Sequence, residues 1–196
     1  MRLKRKIRSL YIRYYQKWRI RSAKILSTNK NVNGSPVINQ PSYFMGQGRI
    51  SFGTNVQLGF APSPALYDGS VYLEARESTS EIIFGNDIVV NNNFRIICER
   101  TSVSIGDATL IGTNVEIIDS DFHCVHPDER CSGNHKTAAV KIGRNVFIGS
   151  NARIMKGVEI GENSIVGNSA VVYENVPPNV VVSGNPAQII KQITIQ

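Results

Sequence analysis

At 196 residues, 41% of them apolar, the chain can bury one sizeable core and carry a short appendage, so one main domain is expected. Cys98, Cys124 and Cys131 are odd in number and show no CxxC spacing, which argues against a disulfide framework or a structural zinc cage and fits a reducing compartment. The net charge of +7 suggests nucleic acid only until it is located: ten of the 22 cations and no acid lie in the first 24 residues, and the other 172 carry 12 cations against 15 anions.

The basic segment comes first. At 100° per residue, Leu3, Ile7, Leu10, Tyr11, Tyr14 and Trp18 share one apolar stripe, with cations over most of the remaining surface, so an amphipathic helix is predicted within residues 1–30. Two readings of it stand open. The stripe packs on the protein's own oligomer, or it rests on anionic lipid, where Lys, Arg, Tyr and Trp suit the interface. Nucleic acid is not expected as a partner, since no recognisable binding module accompanies the charge. No uncharged apolar run reaches signal-peptide length or the roughly 20 residues of a membrane span, so a cytoplasmic location is expected, peripheral at the inner face of the membrane if the helix meets lipid. The stretch "LSTNKNVNGSPVINQPS", residues 26–42, is rich in Asn, Ser, Gly and Pro and reads as a linker.

Residues 31–196 form the second unit. Aliphatic residues recur there at every sixth position, at Ile142, Ile148, Ile154, Ile160, Val166 and Val172. A small or β-branched residue stands two places before each, and glycine follows four of them. The same phase appears at Ile105, Ile111 and Ile117, and less regularly at Phe84, Val90 and Ile96 and at Phe52 and Leu58. Helices repeat at 3.6 and strands at 2, so a period of six means short strands joined by regular corners. One such strand cannot bury its aliphatic side chain alone, whereas stacked coils enclose a continuous column. The expected fold is all-β, a parallel β-helix.

The period fails between Ile117 and Ile142, and residues 118–140 are expected to leave the coil as a loop. The loop begins "IIDSDFHCVHPDER", which holds two of the chain's three histidines. Cys124 beside His123 raises thiol catalysis, but sequence neighbours on an extended segment point apart.

The repeat of aliphatic, glycine, two variable, small and variable resembles the hexapeptide-repeat acyltransferases. Within them, "VNNNFRIICERTSVSIGDATLIGTNVEIIDSDFHCVHPDERCSG" together with the ending "PPNVVVSGNPAQIIK" resembles the sugar O-acetyltransferase branch that includes the galactoside and maltose enzymes. The resemblance implies a left-handed β-helix, a short C-terminal helix, a homotrimer, acetyl-CoA as co-substrate, and a hydroxyl of a sugar or glycan precursor as acceptor. It makes His123 the general base, since Arg130 and Ser132-Gly133 fall at the family's spacing from it, with His126 as competitor. Asn91, Asp119, Asp121 and Arg130 are the implied acceptor-side residues, with the two aspartates as candidates to orient the histidine ring. For coenzyme A it points to Gly149, Ser150, Asn168, Tyr173 and Lys191, and the amides near Gly149 and Ser150 are the expected oxyanion donors.

Other readings remain: an amino sugar or antibiotic as acceptor, a non-catalytic trimeric scaffold, or a metalloenzyme like the β-helical carbonic anhydrases. The last needs three imidazoles spread over neighbouring coils, whereas His123, His126 and His135 share one loop, so no metal is expected.

Overall fold

A computed structural model describes residues 2–195; the side chain of Leu3, part of the predicted stripe, lies outside the described residues. A helix, Arg2–Leu26, is followed by twenty short strands that stack into three sheets, in which strands pair three places apart until the last two strands, which close the second sheet. Three faces are thus wound by one coil. The first face runs from Val32–Asn33 to Glu159–Ile160, the second from Val37–Ile38 to Ala187–Gln192, and the third from Ser42–Gly46 to Val171–Val172. All pairings are parallel except the last.

The six-residue period sets this geometry. Ile142 pairs with Ile160, Ile148 with Val166 and Ile154 with Val172, so three hexads close one 18-residue turn and each aliphatic residue stacks on its equivalent in the next coil. None of these six is more than 3% exposed, and the small residues two places earlier, from Val140 to Ala170, are equally buried. Towards the N-terminal end Phe44, Phe52 and Phe84 continue the column as stacked and tilted rings. Truncating the column leaves a cavity that rigid neighbouring coils cannot collapse into. Ile148→Ala or Ile154→Ala is therefore expected to lower stability by about 2–5 kcal/mol, measured by denaturant titration.

Corners need a left-handed residue. Asn55, Asn145, Asn163 and Asn179 supply it where the first face turns into the second, and Asn93, Asn114 and Asn151 where the second turns into the third, all with φ between 55° and 65°. Asparagine tolerates this region and its amide bonds to the asparagine above, as in Asn145 to Asn163 to Asn179, each at 2.9 Å. Glycine matters at the corners for closeness: a Cβ on Gly149 would sit 2.5 Å from Asn168 Oδ1 and 2.7 Å from its amide nitrogen.

One expectation is corrected. Residues 187–192 form a strand, not a short C-terminal helix: Ala187–Gln192 turns back antiparallel on Val180–Gly184. Gly184, at φ +101°, reverses the chain, and the returning strand satisfies the open edge of the second sheet, which a helix could not do. The helix Arg2–Leu26 packs on the coil by a different face from its apolar stripe. Ala23 is fully buried against the coil, and Gln16 Nε2 donates to the carbonyls of Asn39 (2.8 Å) and Leu66 (3.2 Å). Arg19 donates to Leu66 (3.1 Å) and Gly69 (2.6 Å), while the stripe faces away except at its edge, where Trp18 borders a groove with Pro41 and Tyr43 of the coil. Periodicity locates an apolar face but cannot say what covers it. The helix ends at Leu26, and strands Val32–Asn33 and Val37–Ile38 already belong to the coil, so the stretch 26–42 read as a linker is a linker only over its first residues.

Candidate active site

The interruption of the repeat is a true excursion. Ile105 pairs with Ile142, 37 residues on, so this coil carries 19 residues more than a plain one. They leave after Glu116–Ile118 on the third face and return at Val140–Ile142 on the first, with one short 3-10 turn, Pro127–Glu129.

The base of the loop is clasped by buried polar groups. Asp119, 0% exposed, accepts from the backbone amides of Glu99 (2.6 Å), Arg100 (3.2 Å) and Thr101 (2.9 Å) and from Thr101 Oγ1 (2.8 Å). Its predicted place beside the histidine or the acceptor is therefore wrong: the carboxylate caps a corner of the coil below. Glu99 sits next to it, bonded to Ser120 Oγ and, at 2.7 Å, to His135 Nε2, with Arg76 and Arg100 each 3.8 Å away. Burial pushes the Glu99 carboxyl up, but the hydrogen bonds from Ser120 and His135 and the nearby positive charges outweigh it, and the net shift is below the usual carboxylate range. A depressed folded-state value stabilises the clasp at pH above the unfolded carboxylate's titration, and that contribution is lost as pH falls through the folded value. Acidification below about pH 4.5 is expected to loosen the loop before the coil, seen as amide exchange rising first at residues 119–138, and Glu99→Gln is expected to remove this acid dependence. The thiol of Cys98, packed beside this carboxylate cluster, is pushed up to about 12 by burial and by Asp119, so it is not a nucleophile.

Above the clasp, Phe122 takes φ +60° and lies under the Arg76 guanidinium, 5.2 Å from its ring centre. This holds the chain just before His123. The His123 ring is exposed, and its Nδ1 lies 2.9 Å from the Arg130 carbonyl. A carbonyl only accepts, so Nδ1 carries the proton and Nε2 presents a lone pair outward. Arg130, implied as an acceptor-side residue, contributes its backbone carbonyl to the orientation of His123. Neither aspartate orients the ring. Asp121 lines the same cavity as His123 and pairs with Lys156 at 3.1 Å. His126 spends Nδ1 in accepting from the Asp128 amide at 3.3 Å, which leaves His123 the better base. Cys124 meets Ser132 Oγ at 3.4 Å rather than an imidazole.

A second cavity of about 560 Å³ lies at the corner between the second and third faces, and Asn91, Asn93, Thr113, Ser150 and Asn151 line it with Ser63 to Ala65 of an earlier excursion. Its size suits a small-molecule ligand, and amides and hydroxyls line it. Asn91 and Ser150 are thus brought together, with Asn168 on the next coil accepting from the Ser150 amide at 2.9 Å. That bond corrects the oxyanion assignment: the Ser150 N–H is used by Asn168, and the Gly149 N–H by the Val166 carbonyl at 2.7 Å. Asn91 holds its own corner by accepting from the Asn92 amide at 2.8 Å, and Asn93, not Asn91, takes the left-handed position. Tyr173 stands exposed after Val171–Val172 on the third face and Lys191 in the returning strand, so neither joins Ser150 in this cavity.

His123 leaves from the corner between the third and first faces, Asn91 from the corner between the second and third. The single chain keeps the two apart.

Residues 139–174 match the family described as bacterial transferase hexapeptide (six repeats). A putative lipopolysaccharide biosynthesis O-acetyl transferase, WbbJ of Escherichia coli K12, is 32% identical over 176 residues, 86% of this chain and 84% of that protein. The chain belongs to the hexapeptide-repeat acetyltransferases. Galactoside O-acetyltransferase of the same strain is 40% identical over 114 residues, which span 58% of this chain and 55% of that enzyme. A solved galactoside acetyltransferase in complex with coenzyme A superposes with a TM-score of 0.59 at 34% identity, covering 73% of this chain and 64% of that one. Membership identifies the coil as the left-handed parallel β-helix of this family. Among the described residues there is no group of three or more His, Cys, Asp or Glu side chains placed to hold a metal ion, and no helix is long and apolar enough to cross a membrane.

Proposed function

We propose that the protein transfers acetyl from acetyl-CoA directly to a hydroxyl of a sugar or glycan precursor, with His123 as general base. The observation that carries this reading is the Nδ1 contact of His123 with the Arg130 carbonyl, which leaves Nε2 free to accept a proton. The acetyl thioester supplies an already activated carbonyl, so no enzyme nucleophile is needed. Nε2 takes the hydroxyl proton as its oxygen bonds to the acetyl carbon; the carbon–sulfur bond breaks, and the imidazolium returns the proton to the departing thiolate.

The working unit in this reading is a homotrimer. Asn91 and His123 are both implied in one site, yet they occupy different corners of one prism. A site formed between adjacent copies joins them, with the His123 loop of one copy against the Asn91–Ser150 cavity of the next. The acceptor then meets His123, Asp121 and Asn91, and the pantetheine arm runs along the Ser150 corner. The lipopolysaccharide O-acetyl transferase similarity supports a glycan hydroxyl as acceptor. Release of free CoA thiol, measured with purified protein and a panel of sugars and glycan precursors, tests the assignment: it predicts acceptor-dependent release that Asn91→Ala lowers by about ten- to a hundredfold. Thiol release that no hydroxyl acceptor stimulates contradicts it.

A further inference from the structure

The helix Arg2–Leu26 fastens to its own coil through Gln16, Arg19 and Ala23, which repeat at helical spacing along one side. On the opposite side stand Ile7, Leu10, Tyr11, Tyr14 and Trp18, between 51% and 70% exposed. Counted at 100° per residue, Lys4 and Arg8 border this stripe on one flank and Lys6, Arg13, Lys17 and Lys24 on the other. No carboxylate occurs before Asp68, so neither an i,i+4 ion pair nor an acid in the first turn supports the helix. Five cations within the first eight residues also oppose the helix dipole. Beyond its anchorage on the coil, a helix of this kind gains stability from a partner that neutralises positive charge on both flanks while covering the apolar stripe between them.

We infer that this face docks the enzyme on an anionic lipid bilayer. Headgroup phosphates extend to either side of an embedded stripe and so meet both cationic flanks at once, while tyrosine and tryptophan sit at the level where hydrocarbon gives way to headgroups. The long lysine and arginine stems lie along the same boundary with their charges directed outward. The inference is independent of the acetyl-transfer reading, because it rests on a helix face that contributes nothing to either cavity lined by His123 or Asn91.

Trp18 is the chain's one tryptophan, and it lies in the stripe, so its emission reports this face alone. The full-length protein is titrated with vesicles of phosphatidylcholine containing phosphatidylglycerol, and with pure phosphatidylcholine vesicles. The expected result is a blue shift and cosedimentation with the anionic vesicles, weakened by salt, and neither with the zwitterionic ones. Neutralising two flank cations in Lys6→Gln/Lys17→Gln is expected to weaken binding about thirtyfold, with acetyl transfer to a soluble acceptor unchanged. An emission already blue-shifted in lipid-free oligomer, together with oligomer loss in Tyr14→Ser/Trp18→Ser, would assign the face to a second copy and overturn the inference. Equal binding to both vesicle types, or none to either, overturns it as well.

Discussion

Replacing His123 with alanine is expected to lower kcat by about 10²- to 10⁴-fold, or roughly 3–5 kcal/mol of transition-state stabilisation, with little change in coenzyme A affinity. The chemistry sets the size of the effect. A sugar hydroxyl is too weak an acid to lose its proton before attack, and no second group beside His123 replaces the lone pair on Nε2. Asp121 is paired with Lys156, His126 is committed to capping the turn at Pro127, and Cys124 faces Ser132. The fold should not notice the change. His123 is exposed and makes one hydrogen bond, to a carbonyl that solvent can satisfy, so the unfolding free energy is expected to stay within about 0.5 kcal/mol of the parent. A variant that unfolds or falls apart would assign the ring a structural role. His126→Ala is the control, expected to keep most of the activity.

The second large effect is one of stability, at Asp119. Its carboxylate, itself fully buried, gathers three backbone amides and the Thr101 hydroxyl at a corner of the coil, where the Glu99 amide is buried and the donors of Arg100 and Thr101 are half-buried. Removing the acceptor strands the buried Glu99 amide and leaves the half-buried donors without the single group that holds them together. Asp119→Ala is expected to cost about 3–5 kcal/mol in denaturant unfolding. Asp119→Asn should cost less, because one oxygen still accepts. Activity at low temperature is expected to persist in Asp119→Asn, since the carboxylate touches no cavity occupied by substrate. A variant of full stability with lost activity would return Asp119 to the acceptor site where the sequence reading had put it.

That difference shows what a single sequence reveals here. The coil was legible because each hexad position is buried by the same stacking, and the chain repeats its answer at Ile142, Ile148, Ile154 and beyond. The excursion was legible as a failure of the same period. Asp119 was misread because it lies one residue past the last hexad strand, where a buried corner cap and an exposed loop residue have the same local sequence. A signal did exist: Ile96 and Ile105 are nine apart rather than six, so the coil below bulges at residues 99–101 and brings backbone amides that need an acceptor. Glu99 and His135, which clasp the loop, went unnoticed for the same reason, being 36 residues apart and joined only by the stacking.

The amides of Gly149 and Ser150 show a different limit. Resemblance locates a position, but the hydrogen-bond ladder decides whether its N–H is free, and here both are used. The C-terminal strand follows from an edge that must be satisfied, a demand made by the sheet and invisible in "AQIIKQ" itself. For the helix, periodicity found the stripe correctly and could not say that a second, more polar face held the coil.

The most direct test of the central claim, that the imidazole of one copy works beside the Asn91 cavity of the next, is complementation in mixed oligomers. His123→Ala and Asn91→Ala chains, each nearly silent alone, are unfolded, mixed in equal amounts and refolded together. A shared site predicts that about a quarter of the parental activity returns, because that fraction of adjacent pairs joins an intact histidine to an intact asparagine. Mixed oligomers that form and yet stay silent would contradict the account.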